Sequence, residues 1–196
     1  MNPLTGEQLK AIAPQISDKA VETFLPYLNK YMPKFQIDTP QRVAGFLSQV
    51  LEECGLFKWM EELSSGKQYE GRKDLGNVYA GVGEKFKGRG GLQATGRDMY
   101  TKLSHFLYSD NRLVVTPDVV ATPELGIASA CWIWTTVKNL NKIADQPEDW
   151  TFTDDHGKVW NKVQRITYHI NGGENGIDVR TKYYQAAIAE LLPANS

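Results

Sequence analysis

Glu53 closes an apolar run in which Val43, Phe46, Leu47, Val50 and Leu51 recur every three or four residues. That spacing puts Phe46, Gln49, Val50 and Glu53 on one face of a helix. Burial against apolar neighbours disfavours the charged form of a carboxyl, and the negative end of the helix dipole acts the same way. A carboxyl in that setting stays protonated near neutral pH and can serve as a general acid. Glu61 and Glu62 follow across Gly55, Phe57 and Trp59. A second carboxylate across a cleft could activate water as a base, and inverting glycosidases hold such a pair about 6.5–9.5 Å apart. The plain alternative is that Glu52, Glu53, Glu61 and Glu62 form a solvated cluster of charge, because carboxylate spacing marks a site only probabilistically.

The elements that must position these groups announce themselves by their ends. Thr5 with Gln8 predicts a capping box, and Ser17 predicts the start of a second helix carrying Val21, Phe24, Leu25 and Leu28. These two helices are expected to stop near Pro14 and Pro33. Asp38-Thr39-Pro40 predicts the start of the glutamate-bearing helix, with Thr39 as cap and Pro40 in the first turn. Gly55 can end it in a left-handed conformation. From 64 to 91 the chain is rich in Gly, Lys, Arg and Tyr without helical period, which predicts an irregular functional loop or a short hairpin. Helices resume after Thr95 and again at Thr122-Pro123. Two more are expected over 157–170 and 178–192, separated by the turn signal Asn171-Gly172-Gly173-Glu174-Asn175-Gly176.

The chain has 196 residues, 41% of them hydrophobic and 23% charged, with a formal net charge of -1. Those values fit one soluble domain and lack the basic excess of a nucleic-acid binder. The two cysteines, Cys54 and Cys131, cannot build a disulfide framework and are expected to be free thiols. The N-terminus shows no leader pattern and no apolar run reaches the ~20 residues of a membrane span. Synthesis in the cytoplasm without membrane insertion is therefore expected. A substrate outside the membrane would then require a pore or an export system.

Three separated motifs share an order with a known family. Ser48-Gln49-Val50-Leu51-Glu52-Glu53-Cys54-Gly55-Leu56-Phe57, with Glu62-Leu63-Ser64-Ser65-Gly66 after it, resembles the acid-bearing helix end of glycoside hydrolase family 19, which includes chitinases and phage endolysins. Phe86-Lys87-Gly88-Arg89-Gly90-Gly91-Leu92-Gln93-Ala94-Thr95-Gly96-Arg97 resembles its glycine-rich signature. Ile170-Asn171-Gly172-Gly173 with Arg180 resembles a third element. The resemblance runs from about Val43 to Tyr184. Met99 stands where the family carries a sugar-binding Asn, and Glu52 where it often carries His.

The resemblance implies a mainly α, lysozyme-like domain over 1–196, with two lobes, an active-site cleft and at most a small β-hairpin. It implies that Glu53 is the general acid and Glu62 the base of an inverting reaction, with Thr95 positioning the water. Gln93 and Asn171 would bind the N-acetyl sugar, and Arg89 and Arg180 would fix the loop or neighbouring carboxylates. From the residues alone Glu61 is as eligible a base as Glu62. Thr95 could equally cap the helix behind it, Asn171 could simply stabilise its turn, and the two arginines could be structural. The implied substrate is the peptidoglycan glycan strand, cut by a monomeric endolysin-like enzyme without metal or cofactor. Chitin is the alternative, and a glycan-binding homologue with weak chemistry is a third reading.

Two rivals have less support. A cysteine peptidase needs a thiolate beside a base, whereas Cys54 adjoins glutamates and Cys131 lies in an apolar stripe. Asp154-Asp155-His156 lacks zinc-type spacing and reads as a turn and helix cap. Trp59, Tyr69, Tyr79, Trp132 and Trp134 offer stacking faces, although aromatic residues at that density commonly pack a core.

Overall fold

A computed structural model describes residues 1–192. Its helices are α1 (Gly6–Ile12), α2 (Asp18–Tyr31), α3 (Pro40–Glu53), α4 (Val82–Lys85), α5 (Arg97–Tyr108), α6 (Arg112–Val115), α7 (Pro123–Trp132), α8 (Asn141–Ala144), α9 (Lys162–Asn171) and α10 (Ile177–Leu191). One antiparallel hairpin accompanies them among the described residues, β1 (Thr151–Thr153) with β2 (Val159–Asn161). The fold is mainly α, as expected.

The predicted caps are present. Thr5 and Gln8 form the reciprocal box of α1, the Ser17 side chain accepts from Ala20 N, and Thr39 accepts from Arg42 N with Pro40 in the first turn of α3. Each satisfies an amide that the helix start would otherwise leave unpaired. Helix α3 is the central element, and every residue from Val43 to Leu51 is buried. Its principal neighbour is α10, with α8 and α9 beside it. No described helix is long and apolar enough to cross a membrane.

The end of α3 sets up the site. Gly55, Leu56 and Phe57 are left-handed in succession, with φ of 54°, 60° and 66°. Two non-glycine residues in that region persist only where the surroundings hold them. Leu56 N donates to Leu51 O at 2.8 Å and Trp59 N to Cys54 O at 2.9 Å. The Phe57 ring stacks on Phe24 with centroids 4.4 Å apart. The reversal sends the chain back so that Glu61 and Glu62 meet residues 88–94.

Two expectations are corrected. The helix predicted over 157–170 begins only at Lys162, because Val159, Trp160 and Asn161 form β2, paired Thr151 with Asn161, Phe152 with Trp160 and Thr153 with Val159. Asn161 caps α9 in a reciprocal box with Gln164. Asp154 is consequently no helix cap. Its carboxylate holds the hairpin turn, accepting from His156 N and Lys158 N, both at 3.0 Å, and from Trp160 Nε1 at 2.8 Å. The segment 64–91 takes the first of its two expected forms, an irregular loop, with single helical turns at Lys67–Tyr69 and Lys73–Leu75 before α4.

Candidate active site

Glu53 is held by a guanidinium rather than by apolar side chains alone. Arg180, in the first turn of α10, donates from Nη2 to Glu53 Oε1 at 2.6 Å. Its Nε donates to Asn175 O at 3.0 Å and its Nη1 to Gln49 Oε1 at 2.7 Å. Arg180 is 3% exposed, and the Glu53 side chain 19%. The turn at 171–176 thus anchors Glu53 through Arg180. Asn171 itself stabilises that turn, accepting from Gly173 N at 2.9 Å and donating to Asn175 O at 3.1 Å.

The loop 64–91 anchors Glu62. Gly88 N donates to Glu62 Oε2 at 2.6 Å and Gln68 Nε2 to Oε1 at 3.0 Å, and the Ser64 hydroxyl also meets Oε1. The backbone joins the same segments, with Glu62 N on Gly88 O at 2.9 Å and Gly90 N on Met60 O at 2.8 Å. Single bridges tie Glu61 to Arg89 and Arg89 to Ala94. Behind this ladder the loop packs on α7 at Gly126, whose missing side chain admits Gly90 and Met60.

Three of the candidate residues converge beside Gly88. A Cβ on Gly88 would stand 2.7 Å from Glu62 Oε2, 2.7 Å from Gln93 Oε1 and 3.2 Å from Thr95 Oγ1. Only a residue without a side chain can pack this close to the three oxygens. Gln93 has a left-handed backbone, φ 51°, and its amide nitrogen donates to Trp59 O at 3.2 Å and Gly90 O at 3.0 Å. Its Oε1 is buried and takes no protein donor. The Thr95 hydroxyl donates to Gln93 O at 2.8 Å, which leaves its lone pairs free. Thr95 does not cap α5: the cap position is Gly96, with no side-chain bond.

Glu61 is committed elsewhere. Lys87 Nζ lies 3.0 Å and Arg89 Nη2 3.1 Å from Glu61 Oε1. Burial opposes ionisation, but the Lys87 hydrogen bond and the charges of Arg89 and Lys87 outweigh it and hold the Glu61 carboxyl below its ordinary value. Arg89 is 3% exposed and also pairs with Asp118 at 2.6 Å. It donates to Lys85 O at 2.9 Å and Tyr100 Oη at 3.1 Å. Arg89 is therefore buried where it fixes the loop and its neighbouring carboxylates. Burial pushes the Tyr100 hydroxyl up to about 12, so it stays a neutral donor, to Lys87 O at 2.9 Å.

Sequence reasoning missed Gln49, Ser64, Gln68 and Gly88 as parts of the site. Gly88 carried a signal in its glycine-rich surroundings. Ser64 carried one in the polar segment that follows Glu62, and Gln68 carried none, being a polar residue in an irregular loop. Of the aromatic residues, Trp132 and Trp134 are core, whereas Trp59 and Tyr79 are exposed. Burial pushes the Cys54 thiol up to about 12 and Cys131 well above its ordinary value, so neither is an available nucleophile.

The architecture is mainly α and is shared with solved chitinases. The chain resembles family 19 proteins in sequence and in fold. Over 125 residues, 64% of the chain, it is 32% identical to a Haemophilus influenzae protein named "Glycosyl hydrolase family 19 domain-containing protein". It spans about half of that relative's length, 52%. No family model matches the chain. Chitinase C from Streptomyces griseus superposes with a TM-score of 0.62 over 95% of this chain and 76% of that one, at 19% identity. A class IV family 19 chitinase from Zea mays gives 0.62 over 92% and 84%, also at 19% identity. A bacterial family 19 chitinase gives 0.62 over 100% and 98%, at 18% identity. At these identities the structural likeness concerns the fold.

Proposed function

We propose that the protein hydrolyses β-1,4 bonds between N-acetylated sugars of peptidoglycan, with inversion, through Glu53 and Glu62 on a single catalytic domain. The observation that carries this reading is the convergence of Glu62 Oε2, Gln93 Oε1 and Thr95 Oγ1 on Gly88, whose missing side chain lets the three oxygens come together. All three can accept. A water bound between them on the substrate side would donate its protons among them and turn a lone pair outward. As the water oxygen attacks the anomeric carbon, Glu62 takes its proton. The bond to the leaving oxygen breaks as Glu53 protonates that oxygen. Glu61, already paired with Lys87 and Arg89, is not required as the base. Asn171 and Gln93 would meet the sugar from the rims of the site, although Asn171 must leave its turn bonds and Gln93 its bonds to Trp59 O and Gly90 O to do so.

Charge supports an anionic wall polymer. With Lys87 and Arg89 paired to Glu61 and Asp118, residues 64–91 keep Lys67, Arg72, Lys73 and Lys85 against Glu70, Asp74 and Glu84. That slight positive excess favours a polymer bearing carboxylates over neutral chitin. Chitin is the second reading, favoured by the names of the solved chitinases whose fold the chain shares. The enzyme would act as a monomer on the wall after passage through a pore or an export route.

The test is fragment release from purified peptidoglycan and from chitin oligomers in parallel. Mass analysis of the ends identifies the bond, and proton spectra of the first products identify the anomer. Release from peptidoglycan with an inverted anomer is expected. Release from chitin alone would shift the substrate to the second reading, and a retained anomer would overturn the assignment of Glu62 as a base.

A further inference from the structure

Gln49 is wholly buried at the centre of α3, one helical turn before Glu53. The orientation of its amide is fixed by its neighbours. Arg180 can only donate, so Gln49 Oε1 faces Arg180 Nη1 at 2.7 Å. Gln49 Nε2 is left to donate to Ser48 Oγ at 3.1 Å and Thr167 Oγ1 at 3.3 Å. The Ser48 hydroxyl gives its own proton to Gly45 O at 2.7 Å and is free to accept. Ser48 and Thr167 are also wholly buried. Hydrogen bonds therefore link Glu53 Oε1 to the core through Arg180 and Gln49, with Arg180 donating outward to Glu53 and inward to Gln49, which donates in turn to Ser48 and Thr167. They cross α3, α9 and α10.

We propose that Gln49 is a positioning residue for the reaction: its amide locks the Arg180 guanidinium from the core side, and the locked guanidinium fixes the Glu53 carboxylate. The inference rests on the reading of Glu53 as the acid. The guanidinium is a planar fork held at three corners, by Asn175 O, Gln49 Oε1 and Glu53 Oε1. Loss of the Gln49 corner lets the fork swing on the remaining two, and the carboxylate follows it. Glycan strands lie outside the core and never meet Gln49, so their binding is untouched.

The experiment compares Gln49→Leu, which keeps the volume, with Thr167→Val and Thr167→Ser, which remove and restore the hydroxyl beneath Gln49. The readouts are kcat and KM on the wall glycan and the 15N–1H resonances of the Arg180 guanidinium, assigned with Arg180→Lys. In the wild type the Nη protons should be resolved, because three bonds hinder rotation. In Gln49→Leu they should average or broaden, and kcat should fall by roughly 10²-fold, the penalty of a ~1 Å misplacement, with KM unchanged. Thr167→Val should move the same way by less, and Thr167→Ser should recover wild-type values. If Gln49→Leu does not fold, the threonine pair decides. A wild-type Arg180 spectrum in these variants, or a rise in KM with kcat intact, would overturn the proposal. Full activity in Glu53→Gln would instead overturn the reading of the acid itself, and that result is seen in a different variant.

Discussion

Glu61 and Glu62 are the same residue type at adjacent positions, and the structure gives them opposite employment. Glu61 points at Lys87 and Arg89, whereas Glu62 points at the space beside Gly88. In Glu61→Gln, activity should stay within a few-fold of wild type while stability falls. The sign follows from its lowered carboxyl value: the ion pair stabilises the fold above the ordinary carboxylate range, near 4.3, and that contribution is lost as pH falls through the lowered value. Melting curves of wild type and Glu61→Gln should therefore differ at neutral pH and converge in strong acid. A loss of activity equal to that of Glu62→Gln would contradict the assignment.

Gly88 gives a second test at the same level. In Gly88→Ala the new methyl would lie 2.7 Å from both Glu62 Oε2 and Gln93 Oε1, so the oxygens must separate. Activity should fall by about 10²-fold, as for an ångström-scale misplacement, with helix content by circular dichroism unchanged. Wild-type turnover in this variant would show that the converging oxygens are not needed together.

At the level of elements, the helix starts were legible because capping chemistry is local. Thr5, Ser17 and Thr39 each sit within three residues of the amide they satisfy. The hairpin was not legible. Val159-Trp160-Asn161 is too short to show alternation, and its partner strand and the Asp154 turn were absorbed into neighbouring signals. The true start of α9 was present in the sequence as Asn161 with Gln164, a box of the same form as that of α1, but it was hidden inside a longer apolar pattern. Asn161→Ala should destabilise the protein by about 0.5–2 kcal/mol, the usual worth of such a cap, measured by urea unfolding. A value near zero would show that tertiary packing alone defines this helix start.

Over the whole molecule, the candidate acid and base are held by two structures far apart in sequence. Arg180 and the 171–176 turn hold Glu53, and the 64–91 loop holds Glu62. The motifs made Glu53, Glu62, Gln93 and Thr95 legible as candidates. Their partners were not legible, because an ion pair between positions 53 and 180 depends on how α3 packs on α10. The roles of Arg89 and Arg180 illustrate the difference: both were visible as arginines of the motifs, and only the fold shows each buried against a carboxylate.

The most direct test is hydrolysis of purified peptidoglycan by wild type, Glu53→Gln and Glu62→Gln at equal concentration, each verified as folded. Wild type should release soluble glycan fragments, and each variant should be slower by about 10²–10⁴-fold, the usual contribution of a general acid or base. Either variant cutting as fast as wild type would contradict the two-carboxylate mechanism.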